Sequence, residues 1–209
     1  MFLQAQQFTQ ATIARDYPEW HHDRERYALW YIEIQDPALS QYLQHLRQLF
    51  SGLLYQPNHR QFHISLFICG FRCTSTAQYN DDFLDAQFQQ QCSDLSQASL
   101  ASFPLQTGRI CSFDSALFVE VLDPTQQLAR IRQILSASAA EIAAPHYCAH
   151  VTLGVYQDAY PYAQVSRQIA AVEQQCFEFN VQQLCFGDYQ AQQLQGRLDP
   201  QYVFELQST

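Results

Sequence analysis

Two short segments of the chain carry the same residue types in the same order, His63-Ile64-Ser65-Leu66 and His150-Val151-Thr152-Leu153. In an extended strand successive side chains alternate between faces, so His63 and Ser65 share one face, as do His150 and Thr152. Ile64, Leu66, Val151 and Leu153 take the other. Each segment thus presents one imidazole and one hydroxyl to a common space. Neutral imidazole takes a proton from water or a hydroxyl, and imidazolium gives one to a leaving oxygen, with both states accessible near neutral pH. Hydroxyls donate hydrogen bonds to an oxygen on which negative charge builds up. Two such pairs face to face suit attack at phosphorus, where base and acid act on opposite sides of one centre. The arrangement requires no metal ion.

With 7 histidines in the chain, about one His-x-Ser/Thr is expected by chance. The likeness runs further than the motif. A proline-led turn with a second histidine and an aromatic precedes each copy, Pro57-Asn58-His59-Arg60-Gln61-Phe62 and Pro145-His146-Tyr147-Cys148-Ala149, and each copy runs into glycine, at Gly70 and Gly154. Self-similarity at two separated places implies two related half-units. His59 and His146 belong to surface turns or the cleft mouth, and His45 faces solvent from a helix.

The elements that position the motifs are legible from periodicity. Residues 1–26 read as a polar N-terminal extension with a short helix around Ala5 to Ile13, ending in Trp20-His21-His22-Asp23-Arg24. Three adjacent side chains seldom converge on one ion, so His21-His22-Asp23 reads as a solvated turn. From Tyr27 the chain alternates as a strand, and Asp36-Pro37 opens a helix through Phe50 that stops before Gly52. The first motif strand spans Gln61 to Cys69. A helix from Asp81 to Leu95 carries the apolar stripe Phe83, Leu84, Phe88, Cys92 and Leu95. Strands follow at Pro104 to Cys111 and Ala116 to Leu122, then a helix whose inward face is Leu128, Ile131, Leu135 and Ile142. The second motif strand runs from Cys148 to Tyr156, a helix from Tyr162 to Gln174, and strands close the chain at Cys176 to Phe186 and Gln201 to Leu206. The glutamine-rich stretches Gln87 to Gln91 and Gln190 to Gln195 read as solvated faces. This order predicts an α+β fold: residues 27–209 form a single bilobal domain of two pseudo-symmetric antiparallel-rich sheets, with helices outside and a central cleft.

Composition narrows the function. The 209 residues are 47% hydrophobic and 14% aromatic, enough for a sizeable core. Eleven basic residues against twenty acidic ones leave a net charge of −9, and every basic residue is arginine. A broad nucleic-acid groove needs many cationic contacts, which this balance disfavours; a small nucleotide pocket does not. The absence of lysine excludes Schiff-base, lysyl-adenylate and phosphate-loop chemistry. Seven cysteines without a Cys-x-x-Cys pair read as buried free thiols of a reducing compartment. With no leader-like or membrane-spanning apolar run, a cytoplasmic, monomeric protein without membrane contact is expected.

The paired motifs, the first matching over His63 to Gly70 and the second over Pro145 to Gly154, resemble those of the two-histidine (2H) phosphoesterases, including bacterial RNA 2′,5′-ligase-like proteins and cyclic nucleotide phosphodiesterases. The element order extends the resemblance from Tyr27 to Leu206. It implies metal- and cofactor-independent hydrolysis of a cyclic phosphodiester, whether a nucleoside 2′,3′-cyclic phosphate, an RNA-terminal cyclic phosphate or an ADP-ribose cyclic phosphate, to a monoester. His63 and His150 would be the catalytic pair, with Ser65 and Thr152 binding phosphate. RNA 2′,5′-ligation or its reverse, and a nonenzymatic nucleotide-binding module, are the alternatives. Ligase-like members often carry a basic residue after each motif, where this chain has Phe67 and Val155. By strand parity Phe67 shares the face of His63 and Ser65, where it either stacks on a substrate ring or fills the core. Tyr156, on the parity of Thr152, is a candidate for the cleft rim.

Overall fold

The computed structural model describes residues 2–142 and 146–208. Pro145, part of the turn before the second motif, lies outside them. Five helices and nine strands follow one another as α1 Pro18–His21, β1 Arg26–Glu33, α2 Pro37–Leu49, β2 His63–Cys73, β3 Asp82–Leu84, α3 Asp85–Gln97, β4 Phe103–Ser112, β5 Ala116–Leu122, α4 Gln127–Leu135, β6 His150–Val155, α5 Tyr162–Ala170, β7 Glu178–Val181, β8 Gln183–Gln190 and β9 Asp199–Glu205. The fold is mixed α+β.

The strands lie in the order β7-β4-β5-β6-β2-β1-β8-β9, with β3 paired in parallel to β2 and all other pairs antiparallel. The two expected sheets are two halves of one sheet, β7-β4-β5-β6 and β2-β1-β8-β9, joined through the single ladder pair Ile64↔Val151. β7 and β8 stand far apart in this order yet only Gln182 separates them in sequence. One residue spans about 3.5 Å, so the sheet must curl until its two halves approach. The helices cross between halves: α2 follows β1 but packs on β6, and α4 follows β5 but packs on β2. Each motif strand is therefore backed by a helix of the opposite half.

Local chemistry explains the elements. Asp36 accepts the Leu39 amide at 2.8 Å and Pro37 occupies the first turn, which starts α2 with Leu39, Tyr42, Leu43 and Leu46 buried. The helix expected from Asp81 begins four residues later, because the Asp82 carboxylate is held by the amides of Gln78 and Tyr79 at 2.7 and 2.9 Å and by Arg24. Residues 82–84 are thereby left extended against β2. Gly70 has φ +110, and a Cβ there would lie 2.2 Å from the Asp81 carbonyl, so no other residue fits this crossing. α4 stops at Leu135, short of the expected Ile142, whose amide instead donates to Ile68 O at 3.0 Å.

Two glutamines of the stretches read as solvated are core residues. Gln91 is fully buried, accepting from Trp30 Nε1 at 2.7 Å and donating to Leu135 O at 2.9 Å. Gln195 is buried with its amide shared among Val155 N, Tyr55 O and Pro57 O. Satisfied polar groups of this kind are admitted to a core at little cost. Of the seven cysteines, all free, only Cys69 and Cys185 are buried.

The N-terminal segment holds no helix at residues 5–13. Its backbone instead bonds to the β5–β6 half, Leu3 N to Ser112 O and Thr9 N to Tyr160 O at 2.9 Å, Gln10 N to Asp114 O at 2.7 Å and Thr12 N to Tyr156 O at 2.9 Å. It then crosses to the other half, where Arg24 reaches Asp81 and Asp82 at 2.6 and 2.5 Å. His21 is buried and bonds Asp16 at 2.8 Å, while His22 stacks on Tyr79. The two rings go to different partners, and the solvated turn expected there is partly core.

Candidate active site

β2 and β6 are antiparallel neighbours whose one ladder pair, Ile64↔Val151, sits at the centre of both motifs. In that register the residues flanking the pair are His63 with Thr152 and Ser65 with His150, so an approximate dyad runs through the Ile64–Val151 pair. Ile64, Leu66, Val151 and Leu153 are fully buried, whereas His63, Ser65, His150 and Thr152 are half-buried.

The two histidines are held alike. His63 Nδ1 lies 2.8 Å from Gln61 O and His150 Nδ1 lies 2.7 Å from Cys148 O, each the carbonyl two residues upstream. A carbonyl only accepts, so Nδ1 carries the proton and Nε2 of each neutral ring keeps its lone pair. An aromatic ring fixes each imidazole from its edge, Tyr31 at 5.8 Å from His63 and Phe118 at 5.1 Å from His150, with Phe113 also at 5.1 Å. Tyr31 and Phe118 are themselves equivalent, pairing across the ladder with Ser65 and Thr152.

Burial lowers the basicity of both rings. His63 falls to about 4, chiefly by burial and further by the positive charges of Arg60, His150 and Arg47, against the opposing pull of the Gln61 carbonyl. His150 is also lowered by burial, partly offset by the Cys148 carbonyl. Both imidazoles are thus neutral at pH 7, and a neighbouring anion favours their protonated forms.

A cleft of about 390 Å³ is lined by His63, Ser65 and Thr152 together with Arg47, Asn58, Arg60, Gln61, Val155 and Tyr189, the loop 191–195, and Ile13, Arg15, Tyr17 and Trp20 of the N-terminal segment. That size suits a mononucleotide-scale ligand. His150 is not among the lining residues, its ring lying against Phe113 and Phe118. His59, His146 and His45 are exposed and line nothing here.

Phe67 and Tyr156 are corrections. Both are fully buried in the core, and Tyr156 Oη lies 2.6 Å from Ser112 Oγ. One cause accounts for both. Where β1 advances from Trp30 to Tyr31, its partners on β2 go from Phe67 to Ser65, and where β5 advances from Leu117 to Phe118, its partners on β6 go from Gly154 to Thr152. Leu66 and Leu153 are therefore extra residues, β-bulges at the last position of each motif, and a bulge reverses the facing of everything after it. Val155, which uninterrupted alternation would turn to the core, lines the cleft instead.

Sequence reasoning missed Arg47 and Arg60. Arg47 leaves α2 to donate from Nε to Leu153 O at 2.9 Å, and its guanidinium lies 3.9 Å from the Phe62 ring centre. Arg60 donates from Nε to Gly196 O at 2.7 Å and lies 3.9 Å from the Tyr189 ring centre. Two cations thus line the cleft from outside the motifs. Arg60 stood in the turn before His63, but only the folded contacts bring Arg47 beside it.

The antiparallel curled sheet with few helices is that of a LigT-like α+β fold. The model of the 2′-5′ RNA ligase superfamily matches residues 35–193, and the chain belongs to that family. Among solved structures it is similar to E. coli LigT complexed with 3′-AMP, at 14% identity over 87% of this chain and 98% of that one with a TM-score of 0.58. The E. coli LigT complex with NADP+ gives 11% identity with the same coverage and TM-score. Kluyveromyces marxianus Usb1 is similar at 16% identity over 77% of this chain and 92% of its own, with a TM-score of 0.52. No curated protein sequence matches the chain.

Proposed function

We propose that the protein hydrolyses a cyclic phosphodiester on a nucleotide or RNA end to a monoester, without a metal ion, using His63 and His150 as the proton-transfer pair. The observation that carries this reading is the matched Nδ1-to-carbonyl bond of the two histidines on either side of the dyad, which leaves each ring an Nε2 able to take or give a proton. A water molecule loses its proton to one neutral Nε2 and its oxygen bonds to phosphorus. The ring P–O bond breaks, and the departing ribose oxygen takes a proton from the other, protonated imidazole. Ser65 and Thr152 donate hydrogen bonds to the non-bridging oxygens as charge builds there. A strained five-membered ring is already activated, so proton transfer and charge stabilisation suffice.

The test is hydrolysis of the four nucleoside 2′,3′-cyclic monophosphates in excess chelator, with product position read by phosphorus NMR. His63→Ala and His150→Ala are each expected to lower turnover by at least roughly a hundredfold while retaining the folded spectrum. Chelator-sensitive turnover, or either variant at full rate, would overturn the reading. Membership of the 2′-5′ RNA ligase superfamily favours a second reading, cleavage or joining of 2′,5′ linkages. It differs in requiring an RNA oligomer.

A further inference from the structure

The pseudo-symmetry of the fold makes one departure from symmetry visible. α2 and α4 are equivalent, and each sends an arginine to the carbonyl of the bulged leucine on the opposite motif strand, Arg47 to Leu153 O at 2.9 Å and Arg132 to Leu66 O at 2.5 Å. Each guanidinium also lies over an aromatic ring, Phe62 at 3.9 Å and Tyr147 at 3.8 Å. There the equivalence ends. Arg132 is neutralised by Glu141 through contacts of 2.6 and 3.0 Å. Arg47 has no carboxylate within ion-pair reach among the described residues; its Nη1 donates instead to the main-chain carbonyl of Arg60 at 3.3 Å. Among the described residues Arg60 has no carboxylate partner either, while Arg15, the third arginine lining the cleft, is paired with Glu19. Among the described residues neither aspartate nor glutamate lines the cleft.

Two half-buried cations that line one cleft, both of which lower the basicity of His63, are uncompensated charges that an anion relieves. Burial lowers both guanidinium groups, Arg47 to about 10, consistent with cations held partly out of water with no compensating charge. A phosphate centred on the dyad between Ser65 and Thr152 would be served by cations on both sides, yet the uncompensated charge lies on the His63 side alone. The geometry points to an anion subsite at Arg47 and Arg60 that holds a second phosphate of the substrate, distinct from the phosphate being hydrolysed. The assignment rests on the phosphodiesterase reading and narrows it: the substrate is a cyclic phosphodiester bearing at least one further phosphate group, as an RNA end, a 5′-phosphorylated nucleotide or a diphosphate-linked sugar does. A nucleoside cyclic monophosphate lacks it.

The deciding measurement compares kcat/KM for adenosine 2′,3′-cyclic phosphate with that for the same compound carrying a 5′-phosphate, in the wild type, Arg60→Gln and Arg47→Gln. A charge-assisted guanidinium–phosphate contact gives about tenfold or more. The wild type should prefer the 5′-phosphorylated substrate by at least about that factor, and each folded variant should lose most of the preference. No preference in the wild type, or variants that lose both activities in proportion, would overturn the subsite, the latter showing that the arginines hold the reacting phosphate. If the wild type turns over neither compound, the phosphodiesterase reading fails, and calorimetry with adenosine 3′,5′-bisphosphate and adenosine 3′-monophosphate decides the subsite separately. At least about tenfold tighter binding of the bisphosphate that is lost in Arg60→Gln sustains it, and equal affinities overturn it.

Discussion

A histidine buried in its neutral form is a base at physiological pH and a liability in acid. His63 titrates near 4 in the folded protein against about 6.5 in an unfolded chain, so between those values the unfolded state binds the extra proton. Stability therefore rises with pH across that window, is fully present above about 6.5 and is lost as pH falls toward 4. His150, shifted in the same direction, adds to the effect. The melting temperature of the wild type is expected to fall as pH drops from 6.5 to 4.5, and that of His63→Gln to fall less; equal slopes would show that His63 is not held neutral by the fold. The facing of Ile64, Leu66, Val151 and Leu153 followed from strand alternation alone. Phe67 and Tyr156 were not legible, because the bulges that redirect them are a property of cross-strand pairing, to which a single strand's alternation is blind.

The elements most readable in the chain are those whose signals are local, such as α2, with its aspartate cap, its first-turn proline and a stripe ending at Leu46. Those misread owe their limits to partners far away in sequence: β3 exists because Arg24 and two amides hold Asp82, and α4 ends where its continuation is needed to pair with Ile68. The bulges follow the same rule, since Leu66 offers its carbonyl to Arg132, which is locked by Glu141. Replacing Arg132 with alanine strands a half-buried carboxylate and removes the donor to the bulge, at a cost of about 1–3 kcal/mol. For a chain of this size that lowers the melting temperature by about 2–4 °C per kcal/mol. Adding Glu141→Ala should recover part of the loss, because the double variant no longer strands a charge. Strict additivity of the two changes would mean that Glu141 does not compensate Arg132.

At the scale of the whole molecule, the element order and the paired motifs were enough for an α+β fold with twofold-related halves, but not for how the halves are held. The single ladder pair between β2 and β6 is a narrow join, and the polar composition of residues 1–26 gave no sign that this segment spans it. Its glutamines and threonine satisfy backbone groups of the β5–β6 half: Tyr160 N donates to Thr9 Oγ1 at 2.7 Å and Tyr162 N to Gln7 O at 2.9 Å, while Arg24 anchors the far end on the other half. These backbone contacts tie the segment to the half of the sheet that carries β5 and β6. Deleting residues up to Asp16 should therefore speed amide exchange at Tyr160 and Tyr162 and lower the melting temperature, with the amides inside β1 and β8 changed least. The same deletion removes Ile13 and Arg15 from the cleft lining, so ligand affinity reports a second consequence. Exchange at Tyr160 and Tyr162 as slow as in the full chain would show that the segment merely lies against a join that holds without it.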